Sequence, residues 1–458
     1  MNILFASIED LNDWVEPLGG HPQVQTPNIA RLAARGLVFT QAYAAVPACS
    51  PSRTATLFGQ APWETGVYSN AEKWPDAYPK GQRLSLPGVM RDAGYHTVGA
   101  GKIFHLDVRG YDPEDWDAYA GDIHHKRFNR ISRAVRENAL PMGSDFGAVP
   151  DQQGDFDARN TNWICRKIAP GLDNQFWGFG LYRPHLPFIV PLAYFDLYPP
   201  VVDPPPGLKS GNFRAGDKSV LDGLPPESAT FANRRLGWIL QRFGEYNDFV
   251  RAYLASISYA DALLGKVLDR LEATGQIDNT LIVLWSDHGW QFGEKLAFRK
   301  FTLWERALRV PLIMAGPGVR QGREDTPVSL LDIFPTLCAR TGAAPKHRLS
   351  GVDLSPLLDG SGGIGRDHVL SVWGDWPEPG EGNMAFSLRS AAHRYTVYWE
   401  GGEELYDSAA DPFEHDNLMV RGGENVQAIA AHYRDQLSAD ITAIAPRRAA
   451  AHPGGGDD

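Results

Sequence analysis

The sequence predicts an α/β protein: a large, mixed, mostly parallel sheet flanked by helices, followed by a smaller antiparallel sheet. Three observations carry this. Short apolar runs alternate with amphipathic helical segments through most of the chain, the pattern of strands covered on both faces. Several of those runs stop abruptly at charged residues, where α/β folds place their chemistry. Beyond about residue 345 the alternation gives way to short strand-like runs parted by glycine turns.

The elements follow in order. Residues 3–8 (ILFASI) read as a buried parallel strand ending at Glu9-Asp10. TPNIARLAARG sets Ile29, Leu32 and Ala33 at helical spacing, with Gly36 as its C-cap. LVFTQAYA is the next strand. SLPGVMRDAGYHTVGAG repeats helix, glycine turn and strand, and WGFGLY adds another strand. The long helix FVRAYLASISYADALLGKVLDRLEATG feeds the strand TLIVLWSD, and RVPLIMAG follows as a strand. Residues 196–235, rich in Pro and Gly, predict long surface loops. LLDGSGGIG reads as flexible, AFSLRS, YTVYWE and EELYD as antiparallel strands, and HPGGGDD as a disordered tail. The chain therefore divides into an α/β domain over 1–345, a smaller α+β subdomain over 346–445 and a flexible tail over 446–458. There are no internal repeats.

Composition narrows the function. With 458 residues, 43% of them hydrophobic, the chain can bury one large core and a smaller one. A net charge of -11 without a basic stripe argues against nucleic acid as a partner. It leaves room for an anionic ligand held by a local cluster. Cys49, Cys165 and Cys338 are too few for a disulfide framework, and the last two read as buried thiols. No apolar run is long enough to span a bilayer, so no membrane partner is expected. The start MNILFASIED lacks the basic and apolar regions of a signal peptide. With Met1 as the natural start, a cytoplasmic location is expected. Oligomeric state leaves no signature.

The chemistry concentrates in a few segments. In Cys49-Ser50-Pro51-Ser52-Arg53 the proline fits a first helical turn, and a helix starting there aims its N–H groups at an anion. The competing reading of Cys49 is a small buried residue before a helix, and the pentapeptide as a whole favours the chemical one. Glu9-Asp10 and Asp287-His288 end separate strands, and Gly289 permits a tight turn beside a ligand. Carboxylates with one imidazole suit Ca²⁺ or Mg²⁺, and His288 keeps Mn²⁺ or Zn²⁺ open. Lys102 and His105 in GAGKIFH, Arg183 and His185 in GLYRPHLPF, and Lys300 form three basic groups that suit a sulfuryl or phosphoryl unit. Asn70, Lys73, Trp74, Trp376 and Asn383 lie in predicted loops and supply a candidate substrate rim, fitting a sugar or an aryl group.

These segments resemble the type I, formylglycine-dependent sulfatases of the alkaline phosphatase superfamily. The signature C-x-P-S-R stands intact as Cys49 to Arg53, followed by TATLFGQ. The resemblance covers nearly the whole chain, through IEDLNDW, TPNIARLAARG, GYHTVGAGKIFH, YRPHLPF, SDHGWQFGEK, KFTLWE and GEELYDSAADPFEHDNL. GKIFH and RPHLPF resemble the iduronate-2-sulfatase-type branch in particular. The resemblance implies hydrolysis of a small-molecule or saccharide sulfate ester. It implies that a separate maturase oxidises Cys49 to formylglycine, whose hydrate is the nucleophile. It implies Ca²⁺ (or Mg²⁺) held by Glu9, Asp10, residue 49, Asp287 and His288. Arg53 would help orient the nucleophile, Lys102 and Lys300 would neutralise the sulfuryl oxygens, His185 would protonate the leaving oxygen, and His105 would take a proton. Three positions depart from the pattern. Glu9 stands for an Asp, Leu296-Ala297-Phe298 occupy a stretch where relatives often carry a His, and Arg183 stands where a Lys is common. Arg183 offers a fork for a sugar carboxylate.

Other chemistries share these residues. Phosphonate monoester or phosphodiester hydrolysis uses the same formylglycine. A two-metal phosphohydrolase needs further ligands, and SYADALLGK offers Asp261 but Lys266 where a His belongs. A non-catalytic anion-binding protein would keep Cys49 unmodified.

Overall fold

The structure, a computed structural model, describes residues 1–72, 74–105, 113–120, 145–150, 155–209, 213, 219–232, 235–374 and 384–451, with backbone only from 441 onward. Its centre is an eight-stranded sheet. The strands are β1 (Asn2–Ile8), β2 (Gly36–Phe39), β3 (His96–Gly101), β4 (Ala118–Ala120), β5 (Gln175–Leu181), β6 (Thr280–Ser286), β7 (Leu312–Ala315) and β8 (Gly322–Glu324). Their order is β8-β2-β7-β6-β1-β5-β3-β4. β1 lies in the middle and pairs in parallel with β5 and β6, and β3 is parallel to β5. Only β7 runs antiparallel to its neighbours. β1, β5 and β6 are buried along their whole length, which is why they read as unbroken apolar runs.

Helices cover both faces. On one face lie α1 (Pro27–Ala33), α3 (Phe156–Lys167) and the long α4 (Tyr246–Ala273). Phe249, Tyr253, Ile257, Leu264 and Leu271 of α4 join Leu4, Ala6 and Ile8 of β1 in one core. On the other face Ile3 and Phe5 meet α2 (Cys49–Phe58) through Leu57 and Phe58, and α5 (Ile333–Thr341) through Phe334 and Leu337. The alternation of β1 thus feeds two separate cores.

The smaller sheet is an antiparallel meander of β9 (His368–Gly374), β10 (Met384–Ser390), β11 (His393–Val397) and β12 (Glu403–Asp407). The helix α6 (Glu424–Ala451) packs Ala430, Tyr433 and Leu437 onto its Leu388, Tyr395 and Leu405. β9 also docks on the large domain. Val372 N–H donates to Ala45 and Ser371 Oγ to Ala44, just upstream of Cys49.

Three local readings change. Gly36 opens β2 instead of capping α1, whose C-cap is Ala34; a Cβ at Gly36 would meet the Met314 carbonyl at 2.1 Å. The run LVFTQAYA splits into β2 and a two-residue strand at Ala42–Tyr43. HVLSVWG, unread in the sequence, forms β9, and α6 runs into the segment expected to be a flexible tail.

Candidate active site

Four strand ends converge on the N-terminus of α2. Glu9-Asp10 follows β1, Lys102 follows β3, Arg183 and His185 follow β5, and Asp287-His288 follows β6. Parallel pairing of adjacent strands brings residues 277 positions apart side by side: Asp10 N–H donates to Asp287 Oδ1 at 3.0 Å. Asp10 takes the left-handed φ of 55°, which short polar side chains tolerate, and Tyr253 Oη donates to its carbonyl. Gly289 turns the chain under the backbone of Arg306, where a Cβ would sit 2.0 Å from the carbonyl oxygen.

Cys49 is the first residue of α2, buried at the junction of these ends. Lys300 Nζ lies 2.7 Å from its Sγ and 2.9 Å from Asp10 Oδ1. His288 Nε2 lies 3.2 Å from the same sulfur. His288 Nδ1 donates to the Gly289 carbonyl, which leaves the Nε2 lone pair facing Cys49 and Asp10. Arg53, one turn along α2, donates through Nε to Asp287 Oδ2 and through Nη1 to the carbonyls of Lys102 and Ile103. Ser52 Oγ donates to the Asp287 carbonyl. The signature helix is thus tied to two strand ends by its own side chains.

Three buried carboxylates, Glu9, Asp10 and Asp287, face three buried cations, Arg53, Lys102 and Lys300. Burial pushes against the charge of each carboxylate, and the balance with its neighbours differs from one to the next. For Glu9 burial is the largest single influence, but Lys102, its direct partner, together with His185, Arg53 and Lys300 outweighs it and holds the carboxyl well below its usual range. For Asp287 burial is again the largest single influence, and Arg53 with His288 and Lys300 together overcome it and lower the pKa. For Asp10 burial wins, helped by repulsion from Glu9 and Asp287, and its pKa rises. Burial also pushes the Cys49 thiol well up, with Glu9 and Asp10 adding to it despite Lys300. His185 is lowered to about 3 by burial and by Lys300 and Lys102, against the pull of Glu9. His105 is lowered well below its usual value by burial and Lys102. Both imidazoles are therefore neutral at pH 7.

The residues fit a divalent cation. Two overlapping sets, Glu9-Asp10-Cys49-His185 and Asp10-Cys49-Asp287-His288, each gather their ligand atoms within 4.8 Å of one another. Glu9 Oε2 and Asp10 Oδ2 are buried and accept no hydrogen bond among the described residues. Orphaned acceptors of this kind are what a metal satisfies. Glu9 falls in the set with His185, while Asp287 and His288 form the other set with Asp10 and residue 49.

The remaining predicted residues are placed as follows. His185 Nε2 lies 3.9 Å from Glu9 Oε1 and 3.8 Å from Asp10 Oδ2, and its Nδ1 donates to the Leu186 carbonyl. His105 Nδ1 is buried without a hydrogen-bond partner among the described residues. Arg183 is buried, donates to the Ile189 carbonyl and lies 3.9 Å from Asp155, so its guanidinium is engaged inside the protein. Asn70 Oδ1 accepts from Ser50 N–H at 2.8 Å, steadying the first turn of α2. Trp74, expected in a loop, opens a four-residue helix and is buried against Phe58 and Phe104. Lys73, Trp376 and Asn383 lie outside the described residues. Asp261 is apart from the site: it accepts the N–H groups of Asn28 and Ile29 and caps α1. Two contributors were missed. Tyr253 fixes the Asp10 carbonyl from α4, and Tyr182 lies under Lys102, its ring 5.1 Å from Nζ. Tyr253 sits among apolar neighbours in a long helix with no pattern to set it apart, whereas Tyr182 directly precedes Arg183 in GLYRPHLPF, a position that could have flagged it. A cleft of about 170 Å³, lined by Asp13, Lys295, Arg306, Arg309 and Phe413 among others, contains none of these site residues.

A metal-capable carboxylate–imidazole set, two ammonium groups and a helix N-terminus around one reactive position define a hydrolase of anionic esters. The comparisons make the class specific. The chain belongs to the sulfatase family: the sulfatase model matches residues 1–343. A second model, the C-terminal region of N-sulphoglucosamine sulphohydrolase, matches residues 293–442. A sulfatase of Formosa agariphila is 33% identical over 90% of this chain and 82% of its own length. The choline-sulfatase of Rhizobium meliloti is 28% identical over 96% and 86%. Human iduronate 2-sulfatase is 25% identical over 94% and 93%, so the iduronate-2-sulfatase-type branch is not set apart from others. The phosphonate monoester hydrolase of Agrobacterium radiobacter shares the fold, with a TM-score of 0.76 at 22% identity over 97% of this chain and 96% of that one. The protein is a sulfuric ester hydrolase with a buried cluster able to hold a divalent cation.

Proposed function

We propose that the substrate is a sulfated saccharide, with a formylglycine made from Cys49 by a maturase and Ca²⁺ as the ion. The observation that carries the reading is the convergence on residue 49 of Asp10, Asp287, His288 and Lys300. Burial leaves the unmodified Cys49 as a protonated thiol, a poor nucleophile, which supports an oxidised residue there. Asp10, Asp287, His288 and residue 49 would hold the ion, with Glu9 at its edge. When bound, the ion supplies positive charge that acidifies the nucleophile and polarises the sulfate.

The chain's own groups do the rest. Arg53 locks Asp287 and the helix start in register. Lys300 and Lys102 bring ammonium groups to the sulfuryl oxygens, where negative charge is held during transfer. His185 and His105 are neutral at rest, so the one that serves the leaving oxygen must first take up a proton, such as that released by the nucleophile, before it can give one. Mg²⁺ and Mn²⁺ remain compatible with the same donors.

A saccharide is favoured by the uronate branch that GKIFH and RPHLPF resemble. Relatives that match include an ulvan-active sulfatase of Formosa agariphila and a delta 4,5-hexuronate-2-O-sulfatase of Bacteroides thetaiotaomicron. The test is mass spectrometry of the Cys49 peptide from a host with its maturase. Turnover of 2-O-sulfated uronosides, choline sulfate, an aryl sulfate and a phosphonate monoester is then compared. Aldehyde at residue 49 with preference for the uronoside is expected. Unmodified cysteine in active protein, or preference for choline sulfate or the phosphonate, would overturn the reading.

A further inference from the structure

Lys300 reaches residue 49 from an unusual backbone. Four of the seven residues from 295 to 301 have left-handed φ without being glycine: Lys295 (50°), Leu296 (57°), Arg299 (75°) and Phe301 (76°). Such conformations persist only where the surroundings over-determine them. One end of the segment is held by Phe301 N–H, which donates to the Pro47 carbonyl beside the signature helix.

The other end is held by Lys295. Its ammonium donates to Tyr406 Oη at 2.8 Å and lies 4.5 Å over the Trp304 ring and 4.2 Å over the Tyr406 ring. Glu404 ties the box together, accepting from Trp304 Nε1 at 2.9 Å and Tyr406 Oη at 2.8 Å on one oxygen and from Tyr398 Oη on the other. Glu404 and Tyr406 belong to β12 and are fully buried. A cation desolvated between two aromatic faces is held firmly. Lys295 therefore pins the strained segment to the small sheet, five residues before Lys300.

We propose that Lys295, boxed by Trp304, Tyr406 and Glu404, is the positioning residue that aims Lys300 at residue 49. This rests on the reading that Lys300 serves sulfate-ester hydrolysis. It makes the small sheet part of the catalytic apparatus.

A double-mutant cycle tests it. Lys295→Met is expected to lower kcat/KM about tenfold when Lys300 is present, and less than about twofold in a Lys300→Ala background. Tyr406→Phe, which keeps the ring and removes the acceptor hydroxyl, is expected to act in the same direction, with unchanged circular dichroism showing the fold intact. An equal loss in both Lys300 backgrounds would make Lys295 merely structural and sink the proposal. The same cycle is read from inorganic sulfate affinity by calorimetry, which needs no turnover. Coupling in sulfate affinity without ester hydrolysis by the wild type keeps the clamp and sinks the hydrolase reading. Hydrolysis without coupling keeps that reading and sinks the clamp.

Discussion

Two of the clusters of buried charge among the described residues are built differently. At the centre of the large sheet, Glu9, Asp10 and Asp287 face Arg53, Lys102 and Lys300. Where the small sheet meets the large domain, Glu305 and Glu414 face Arg389 and Arg394. In the second cluster every carboxylate oxygen is used. Glu305 accepts from Tyr43, Arg389 and Arg394, and Glu414 accepts from Arg394 and from the Glu305 N–H. In the first cluster Glu9 Oε2, Asp10 Oδ2 and Arg53 Nη2 have no hydrogen-bond partner among the described residues. The direction of the pKa shifts does not separate the clusters: burial raises Asp10 in the first and Glu414 in the second, while cations hold Glu9 and Asp287 down in the first and Glu305 down to about 2 in the second. Buried charge alone therefore does not mark a site. Orphaned acceptors around one reactive position do.

The strongest way to break the contrast is to cut each cluster once. Cys49→Ala is expected to lower kcat/KM by more than about 10⁴-fold, because it removes the proposed nucleophile, with the melting temperature little changed. Appreciable turnover by this variant in a purified assay would dissolve the assignment of the first cluster. Arg394→Met is expected to do the reverse. It leaves Glu305 and Glu414 short of a partner and should cost about 3–5 kcal/mol in urea unfolding, with turnover per folded molecule retained. A loss of kcat at full stability would make the second cluster catalytic.

Metal sharpens the contrast further. Ca²⁺ at about 100 times its dissociation constant should stabilise the protein by about 2.7 kcal/mol, reversibly with chelator. Arg394→Met should keep that gain and Asp10→Asn should lose it. The smallest effect lies at the edge of the small sheet. His368 bonds Asp440 of α6 at 3.1 Å, and that bond, against partial burial, raises its pKa. A raised folded pKa gives stability that is complete below the unfolded value of about 6.5 and lost as pH rises through the folded one. Partial exposure limits this to less than about 1 kcal/mol. Thermal melts from pH 5.5 to 8.5 should show the loss in wild type and not in His368→Gln.

Much of the site was legible because strand ends and a helix start are local features. An apolar run that stops at Glu9-Asp10 or Asp287-His288 announces both the strand and where its charge emerges. Pro51, the third residue of CSPSR, fits an early helical turn and announces a helix with residue 49 at its start. The rim residues were less legible. Trp74 looked like a loop aromatic because its few flanking residues carry no period, yet it fills the core beside Phe58 and Phe104. Arg183 sits beside His185 in sequence, but its guanidinium turns to Asp155 and the Ile189 carbonyl.

The sequence by itself determined which segments carry the chemistry and at which ends of which elements they lie, since hydrophobic period and turn residues act over a few positions. Tertiary structure decided the partnerships: Glu9 with Lys102, Asp287 with Arg53, Tyr253 under Asp10, and Lys295 boxed by the small sheet. Each joins residues from elements brought together by strand order and sheet docking. A buried charge takes the partner that the surrounding fold places within reach, and no local pattern encodes that choice.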